Sequence, residues 1–348
     1  MKTTNNQTVL VTGASGFIAT HCIQQLLERG CNVHDTLRTM SRQAQVRRAL
    51  AQVGGESERL QFFEADLKKD EGWETAVKDC DYVLHIASPL PTPGKPAPKD
   101  ENEMIAPARN GTLRVLQAAA ANGVKRVVMT SSTDAISKGH ANHAPTFDES
   151  DWSNLEADIG AYARSKALAE QAAWDFVKNN PSGQKLELAV ILPVLVLGPL
   201  LGAGGLSPST GLVRMIMAGD FPAWARLHWQ VVDVRDVAAA HLAVMTHPEA
   251  AGKRYCCYAD GIWMPEIAEI LKREFGNQGY KIPTRQMPAF IMRLLALFNP
   301  DAKMALERLN RETSFSNARL KTELNWHPRM ATEMIVDTGA SLIEHGIV

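Results

Sequence analysis

The sequence is poor in the features that mark most other classes of protein. Its five cysteines, Cys22, Cys31, Cys80, Cys256 and Cys257, are odd in number and lack metal-ligand spacing, so neither a disulfide framework nor a zinc module is expected. No charge of one sign prevails: 37 Lys and Arg stand against 38 Asp and Glu, for a formal charge of −1 and a pI near 6.8. That excludes the basic surplus that nucleic acid or an anionic membrane would ask for. The longest apolar run, Ala189 to Leu201, is broken by Pro193 and Pro199 and falls short of a membrane span; it reads as a buried strand and the loop leaving it. No segment repeats or is low in complexity. The polar stretch Met1 to Gln7 leads straight into a strand without the apolar core of a signal peptide, so the expected location is cytoplasmic.

What is present is a chain of 348 residues, 45% hydrophobic, enough for one large α/β domain with a smaller lobe or for two domains. Val9 to Ala19 organises it: a short apolar run breaks at Thr12-Gly13-Ala14-Ser15-Gly16 and then opens an amphipathic helix. Gly13 permits a backbone angle closed to other residues, Gly16 lets the main chain approach a pyrophosphate, and Ala19 lets the helix sit close to the strand. The free N–H groups of the helix start suit phosphate oxygens. The competing reading is a tight turn that binds nothing, since glycine pairs at this spacing also arise by chance.

The helix runs from about Gly16 to Arg29 and ends at Gly30, and a second strand follows, Asn32 to Leu37. The residue after that strand reads the adenosine ribose, and here it is Arg38, with Arg42 four residues on; Asp35 lies inside the strand. An arginine fork suits a 2′-phosphate, which favours NADP(H) over NAD(H). The alternative is that both arginines are solvated charges at a helix start, like Arg47 and Arg48. A third strand, Leu60 to Ala65, ends at Asp66-Leu67, placed to hydrogen-bond and cover an adenine, Asp66 serving also as N-cap of the next helix. The fourth strand, Asp81 to Ile86, ends in the small residues Ala87 and Ser88, which leave room for ribose and nicotinamide. The proline-rich segment Pro91 to Pro98 is expected to be a loop at the pocket mouth. A helix from Glu101 to Asn122 and a fifth strand, Arg126 to Thr130, bring Ser131 or Ser132 to the ligand-binding edge of a parallel sheet.

Tyr162 and Lys166 begin the next helix, and a spacing of four puts them on one face. A free phenol, with a pKa near ~10, is a poor proton donor and acceptor at neutrality; a nearby lysine and an oxidised nicotinamide pull it down. Tyr162 then protonates the oxygen formed when hydride reaches a carbonyl carbon, Ser132 bonds that oxygen, and Lys166 also holds the ribose. As a bare pattern Tyr-x-x-x-Lys is commonly a surface pair; its place after Ser131-Ser132, in a chain with a nucleotide turn, gives it weight.

These motifs, with Val232-Asp233-Val234-Arg235-Asp236-Val237-Ala238 downstream, resemble the extended short-chain dehydrogenases/reductases over about Thr8 to Tyr258. The branch is that of dihydroflavonol 4-reductases, cinnamoyl-CoA reductases and NADPH-dependent aldehyde or ketone reductases. The resemblance implies Ser132, Tyr162 and Lys166 as catalytic residues. It also implies cofactor contacts from Gly13, Ser15, Gly16, Phe17 and Ile18, a nicotinamide-packing segment at Ile191 to Val194 that includes Pro193, with Val196 beside it, and a pyrophosphate serine at Ser209. Gly160-Ala161-Tyr162-Ala163-Arg164 stands where cinnamoyl-CoA reductases carry Asn-Trp-Tyr-Cys-Tyr, which disfavours an acyl-CoA substrate, and Leu192-Pro193 replaces the family's Asn-Pro.

The fold expected is α/β, a Rossmann-type doubly wound parallel sheet of about seven strands with a smaller, mostly helical C-terminal lobe. Residues 1–195 form the NADP-binding domain, 228–260 return to it, and 196–227 with 261–348 form the substrate lobe. Asp236 is expected to cap the helix Val237 to Met245, His241 to be a packed side chain, and Cys256-Cys257 to be core. The expected activity is NADPH-dependent reduction of an aldehyde or ketone by a monomer or homodimer, with a small-molecule carbonyl substrate and no metal, nucleic acid or membrane. The rivals are an NAD-dependent nucleotide-sugar epimerase or dehydratase, against which Arg38 speaks, a non-catalytic NADP-sensing regulator, and a hydroxysteroid dehydrogenase.

Overall fold

The computed structural model describes residues 7–54, 58–90, 98, 100–140, 146–180, 185–202 and 206–348. The proline-rich segment expected at the pocket mouth, Pro91 to Pro98, lies outside the described residues apart from Pro98. The first half alternates strand and helix: β1 (Thr8–Thr12), α1 (Phe17–Glu28), β2 (Asn32–Leu37), α2 (Gln43–Ala51), β3 (Leu60–Glu64), α3 (Trp73–Val77), β4 (Tyr82–His85), α4 (Asn102–Ala121) and β5 (Arg126–Thr130). Then come β6 (Thr146–Phe147), α5 (Gly160–Lys178), β7 (Glu187–Pro193), β8 (Leu195–Leu197), α6 (Pro208–Ala218), β9 (Trp224–Ala225), β10 (His228–Asp233), α7 (Val234–Thr246), β11 (Arg254–Cys257) and β12 (Asp260–Trp263). The C-terminal part holds α8 (Met264–Phe275), β13 (Gln286–Met287), α9 (Ala289–Leu295), α10 (Pro300–Ala305), β14 (Ser314–Phe315), α11 (Ala318–Leu324) and α12 (Ala331–Glu344).

Seven of these strands form one parallel sheet in the order β11-β7-β5-β4-β1-β2-β3. From β1 the chain winds outward through β2 to β3, then crosses back to β4 and winds the other way, so β1 and β4 are neighbours at the reversal, with Val11 beside Leu84. The carboxyl ends of these two strands splay their connections apart and open a crevice.

Side chains alternate between the two faces, as strand geometry demands. Val9 and Val11, Val128, Ile191, Tyr255 and Cys257 join an apolar cluster with α1 and α7. Leu10, Val127 and Met129, Val190 and Leu192, and Cys256 join another with α3, α4 and α5. Cys256 and Cys257 thus lie on opposite faces, and all five cysteines are free and buried. A third cluster lies in the C-terminal part, where α6, α8 and α12 enclose Val213, Met217, Leu271 and Met334.

Two expectations about turns need correction. α7 begins at Val234, and its N-cap is Asp233, whose carboxylate accepts from the Arg235 amide at 2.8 Å. Asp236 sits in the first turn and pairs with Arg329 instead, because β10 extends to Asp233 and Val234 is already buried against the core. Asp66 does not cap α3, whose N-cap is Gly72; its carboxylate accepts from the Lys68 amide at 3.0 Å and closes a local turn.

Candidate active site

The nucleotide end of the crevice is made by backbone. Gly13 adopts φ +85°, its N–H donates to Thr36 Oγ1 at 3.1 Å, the Ala14 amide donates to Thr36 O at 3.0 Å, and Gly16 N–H closes the turn on Gly13 O at 2.8 Å. A Cβ added at Gly13 would stand 3.1 Å from the Ala87 Cβ, so the turn after β1 and the segment after β4 approach each other as closely as small residues permit. The first turn of α1 carries no acidic residue, and the helix start lines a cavity of about 520 Å³. Ser15, Gly16 and Phe17 line this cavity on one side, Ser41 and Arg48 on another, and Ser207 and Thr210 close it from the α6 start. Ser209, expected near a pyrophosphate, is buried and bonds Ser207 Oγ at 2.9 Å, so it is Ser207, capping α6, that faces the cavity.

Arg38 stands exposed just past β2, and Arg42 is half-buried with its Nε on Gln45 Oε1 at 3.4 Å. Arg47 is engaged elsewhere, on Leu60 O and over the Phe62 ring, while Arg48 lines the cavity, a distinction that their adjacency in sequence hides. Asp35 is fully buried; its carboxyl oxygens lie near the Ala14 and Thr36 amides without a well-formed hydrogen bond, and burial raises its pKa well above the usual carboxylate range. It therefore offers no acceptor to a ribose at the strand end. Leu67 is held beneath α4, where a Cβ at Gly111 would come 2.7 Å from the Leu67 Cβ, and its carbonyl accepts from Arg114 at 2.9 Å.

The floor between the two ends is fixed by His85. Thr12 Oγ1 accepts from the Ile86 and Ala87 amides at 3.0 and 2.9 Å and so presents its own proton to His85 Nδ1 at 3.1 Å. Thr112 donates to Ala108 O, which leaves its oxygen to accept from His85 Nε2 at 3.2 Å. Burial lowers the His85 pKa to about 3, with the Lys166 charge adding to the effect, so the ring stays neutral and the Ala87-Ser88 segment stays in place.

The chemical end is made by side chains. Ser131 turns away from the crevice and donates its hydroxyl to Glu170 at 2.6 Å, while Ser132 shares a hydrogen bond with Tyr162 and accepts from the Asp134 amide at 3.1 Å. Of the two adjacent serines, only Ser132 therefore meets the phenol. Lys166 is buried, donates to Thr130 O at 3.3 Å and lies 5.9 Å from the centroid of the Tyr162 ring. Burial lowers its pKa to about 8, opposed by the negative charge of Glu170. Tyr162 goes the other way from the expected fall: burial and the neighbouring Asp134 raise its pKa, and the Ser132 hydrogen bond offsets this only in part. The protein by itself keeps the phenol protonated. Pro193 ends β7 with its carbonyl near Thr133 Oγ1 at 3.4 Å, and Val196 sits in β8 beside Val232. His241 is a fully buried structural residue, bonded to Thr130 Oγ1 at 2.7 Å and to Val237 O.

A glycine turn at a helix start, facing a serine, a tyrosine and a lysine across the switch point of a parallel sheet, defines a dinucleotide-dependent oxidoreductase. A model of the NAD dependent epimerase/dehydratase family matches residues 9–257, and the chain belongs to that family, as a reductase of the extended short-chain dehydrogenase/reductase type. A putative anthocyanidin reductase of Ginkgo biloba is 34% identical over 294 residues, 80% of this chain and 82% of that protein. Cinnamoyl-CoA reductase 1 of Arabidopsis thaliana is 38% identical over 284 residues, 80% of this chain and 77% of that one. Among solved structures, yeast methylglyoxal/isovaleraldehyde reductase Gre2 complexed with NADPH superposes with a TM-score of 0.80 at 27% identity, over 98% of this chain and 100% of that one. Among the described residues no helix is long and apolar enough to cross a membrane.

Proposed function

We propose that this chain is an NADPH-dependent carbonyl reductase that converts an aldehyde or ketone to the alcohol. The observation that carries the reading is the grouping of Ser132, Tyr162 and buried Lys166 at the carboxyl end of β5, with the phenol held in its protonated form. The cradle fits NADPH: Gly13 and Ala87 leave room that a Cβ would fill, the α1 amides suit the pyrophosphate, and Arg38 and Arg42, with Arg48, offer guanidinium groups to a 2′-phosphate. Bound NADPH supplies a hydride from nicotinamide C4 to the carbonyl carbon. Ser132 donates to the substrate oxygen and orients it, and Tyr162 delivers its proton to that oxygen as negative charge develops there. Lys166, positive beside the phenol, stabilises the phenolate left behind, which regains a proton from solvent, and it also holds the ribose hydroxyls. Residues 196–227 and 261–348 form the lobe that receives the substrate. The departure from Asn-Trp-Tyr-Cys-Tyr around Tyr162 favours a free carbonyl compound over an acyl-CoA.

Oxidation of NADPH and of NADH, followed at the nicotinamide absorbance against aryl aldehydes, diketones, keto esters and a dihydroflavonol, tests the reading. Turnover with a strong NADPH preference is expected. Silence with every carbonyl while NADPH still binds would overturn it.

A further inference from the structure

Glu170 lies one turn beyond Lys166 on α5, is fully buried, and has no part in the chemistry described above. Its Oε2 accepts from Ser131 Oγ at 2.6 Å, and its Oε1 accepts from Arg254 Nε at 2.6 Å and from Trp174 Nε1 at 3.2 Å. Arg254, buried on the edge strand β11, donates Nη1 to Glu149 O and Asp151 O at 3.0 and 2.8 Å and lies 3.9 Å over the Trp152 ring. Next in that loop, Ser153 donates to Asp134 O at 2.8 Å and accepts from the Lys138 amide. One carboxylate is thus tied directly to the strand end that carries Ser132 and, through Arg254, to the loop that supports the turn after Ser132. A buried ion pair of this kind is a poor source of stability, since well-packed apolar residues commonly do as well. Its place beside the reacting groups is the better explanation.

We propose that Glu170 is a positioning residue for the reaction, fixing the Ser131-Ser132 strand end and placing the negative charge that faces Lys166 inside the crevice. The proposal rests on the roles given above to Tyr162 and Lys166. Burial draws the lysine down to about 8, and Glu170 is the carboxylate that holds it up. The other titratable groups around it leave that task to Glu170. His85 from β4 and His241 from α7 are neutral, with pKa values lowered to about 3 and about 4 by burial. Tyr162 on α5 is protonated, Asp134 bears on Tyr162, and Arg254 from β11 is turned to Glu170. Glu149, behind Arg254, bonds the Cys256 amide.

Reduction uses Lys166 in its charged form, so activity falls as pH rises through the lysine pKa. Removing the Glu170 charge should bring that fall to lower pH. The experiment is the pH profile of kcat for NADPH oxidation in the wild type, Glu170→Gln, the double variant Glu170→Gln with Arg254→Gln, and Ser131→Ala, with Tyr162→Phe alongside. Both Gln variants should move the alkaline limb down by about one pH unit; the double variant removes both charges and serves if the single one misfolds. Ser131→Ala keeps the charge and should lower kcat severalfold with the limb in place. A limb coincident with wild type in the folded Gln variants, or a wild-type kcat in Ser131→Ala, would overturn the proposal, whereas a merely structural Glu170 would lower stability without moving the limb. If Tyr162→Phe still turns over, it is the reading of the site that fails; if it is dead and the limb does not move, only this inference fails.

Discussion

At the nucleotide end of the crevice the chain works with bare backbone, and at the chemical end with buried side chains. Gly13 and Ala87 matter for what they lack, because a Cβ at Gly13, where φ is +85°, would stand 3.1 Å from the Ala87 Cβ. In the proposed reaction Ser132, Tyr162 and Lys166 matter for their functional groups, with the protonation of the phenol set by burial and Asp134 and that of the ammonium by burial and Glu170. Under the proposed function the first end discriminates by shape and by dipole, and the second by proton position. Damage at each end should therefore carry its own signature, one in cofactor affinity and the other in the rate of the chemical step.

Gly13→Val should separate them most sharply. At φ +85° a β-branched residue is strained, and its Cβ meets Ala87. Losing even one or two charge-assisted contacts to a pyrophosphate raises the NADPH KM by roughly 100-fold, while the pH dependence of kcat at saturation should stay that of the wild type. Normal NADPH affinity in Gly13→Val would mean that the turn after β1 does not hold the cofactor. Arg38→Ala probes the same end from its rim and should raise the KM for NADPH by about 10-fold and leave that for NADH unchanged; no change with either cofactor would assign Arg38 to the solvent-facing surface.

A smaller effect is expected in stability. His21, His85 and His241 are held neutral in the folded chain, with pKa values lowered to about 4, about 3 and about 4 by burial. Their folded values lie below the ordinary 6.5, so the unfolded chain binds more protons once pH falls under that value, and stability present at neutral pH is lost on acidification. At pH 5 each histidine should account for about 2 kcal/mol of that loss. Denaturant titrations at pH 7 and pH 5, with His85→Asn for comparison, check this; an equal pH dependence in the variant would mean that His85 contributes nothing to it.

The two ends were not equally legible in the sequence. A backbone-built turn leaves its mark as glycine spacing between an apolar run and an amphipathic helix, and β1, the turn and α1 lie where that pattern predicts. The side-chain end depends on which way each group faces. Ser131 and Ser132 are equivalent on paper, and only the packing of α5 decides that one meets Glu170 and the other Tyr162. Glu170 and Arg254 are 84 residues apart, so no local spacing reveals their pairing. The expected fall in the Tyr162 pKa rests on Lys166 and an oxidised nicotinamide, whereas in the protein by itself burial and Asp134 raise it. Asp233 and Asp236 are both suitable caps three residues apart, and the length of β10 decides between them. In the C-terminal part, apolar spacing marks α9 but does not say what it touches: Met292 is buried, whereas Phe290 is 68% exposed.

In the proposed reaction Tyr162 is the proton donor to a carbonyl oxygen, and the cofactor is held elsewhere, by the turn at Gly13. NADPH binding, followed by nicotinamide fluorescence, and NADPH oxidation with a carbonyl substrate, measured together on wild type and Tyr162→Phe, test it most directly. Binding should stay within about twofold of wild type and turnover should fall by roughly 10³-fold or more, as for removal of a general acid. Sustained turnover in Tyr162→Phe would contradict it.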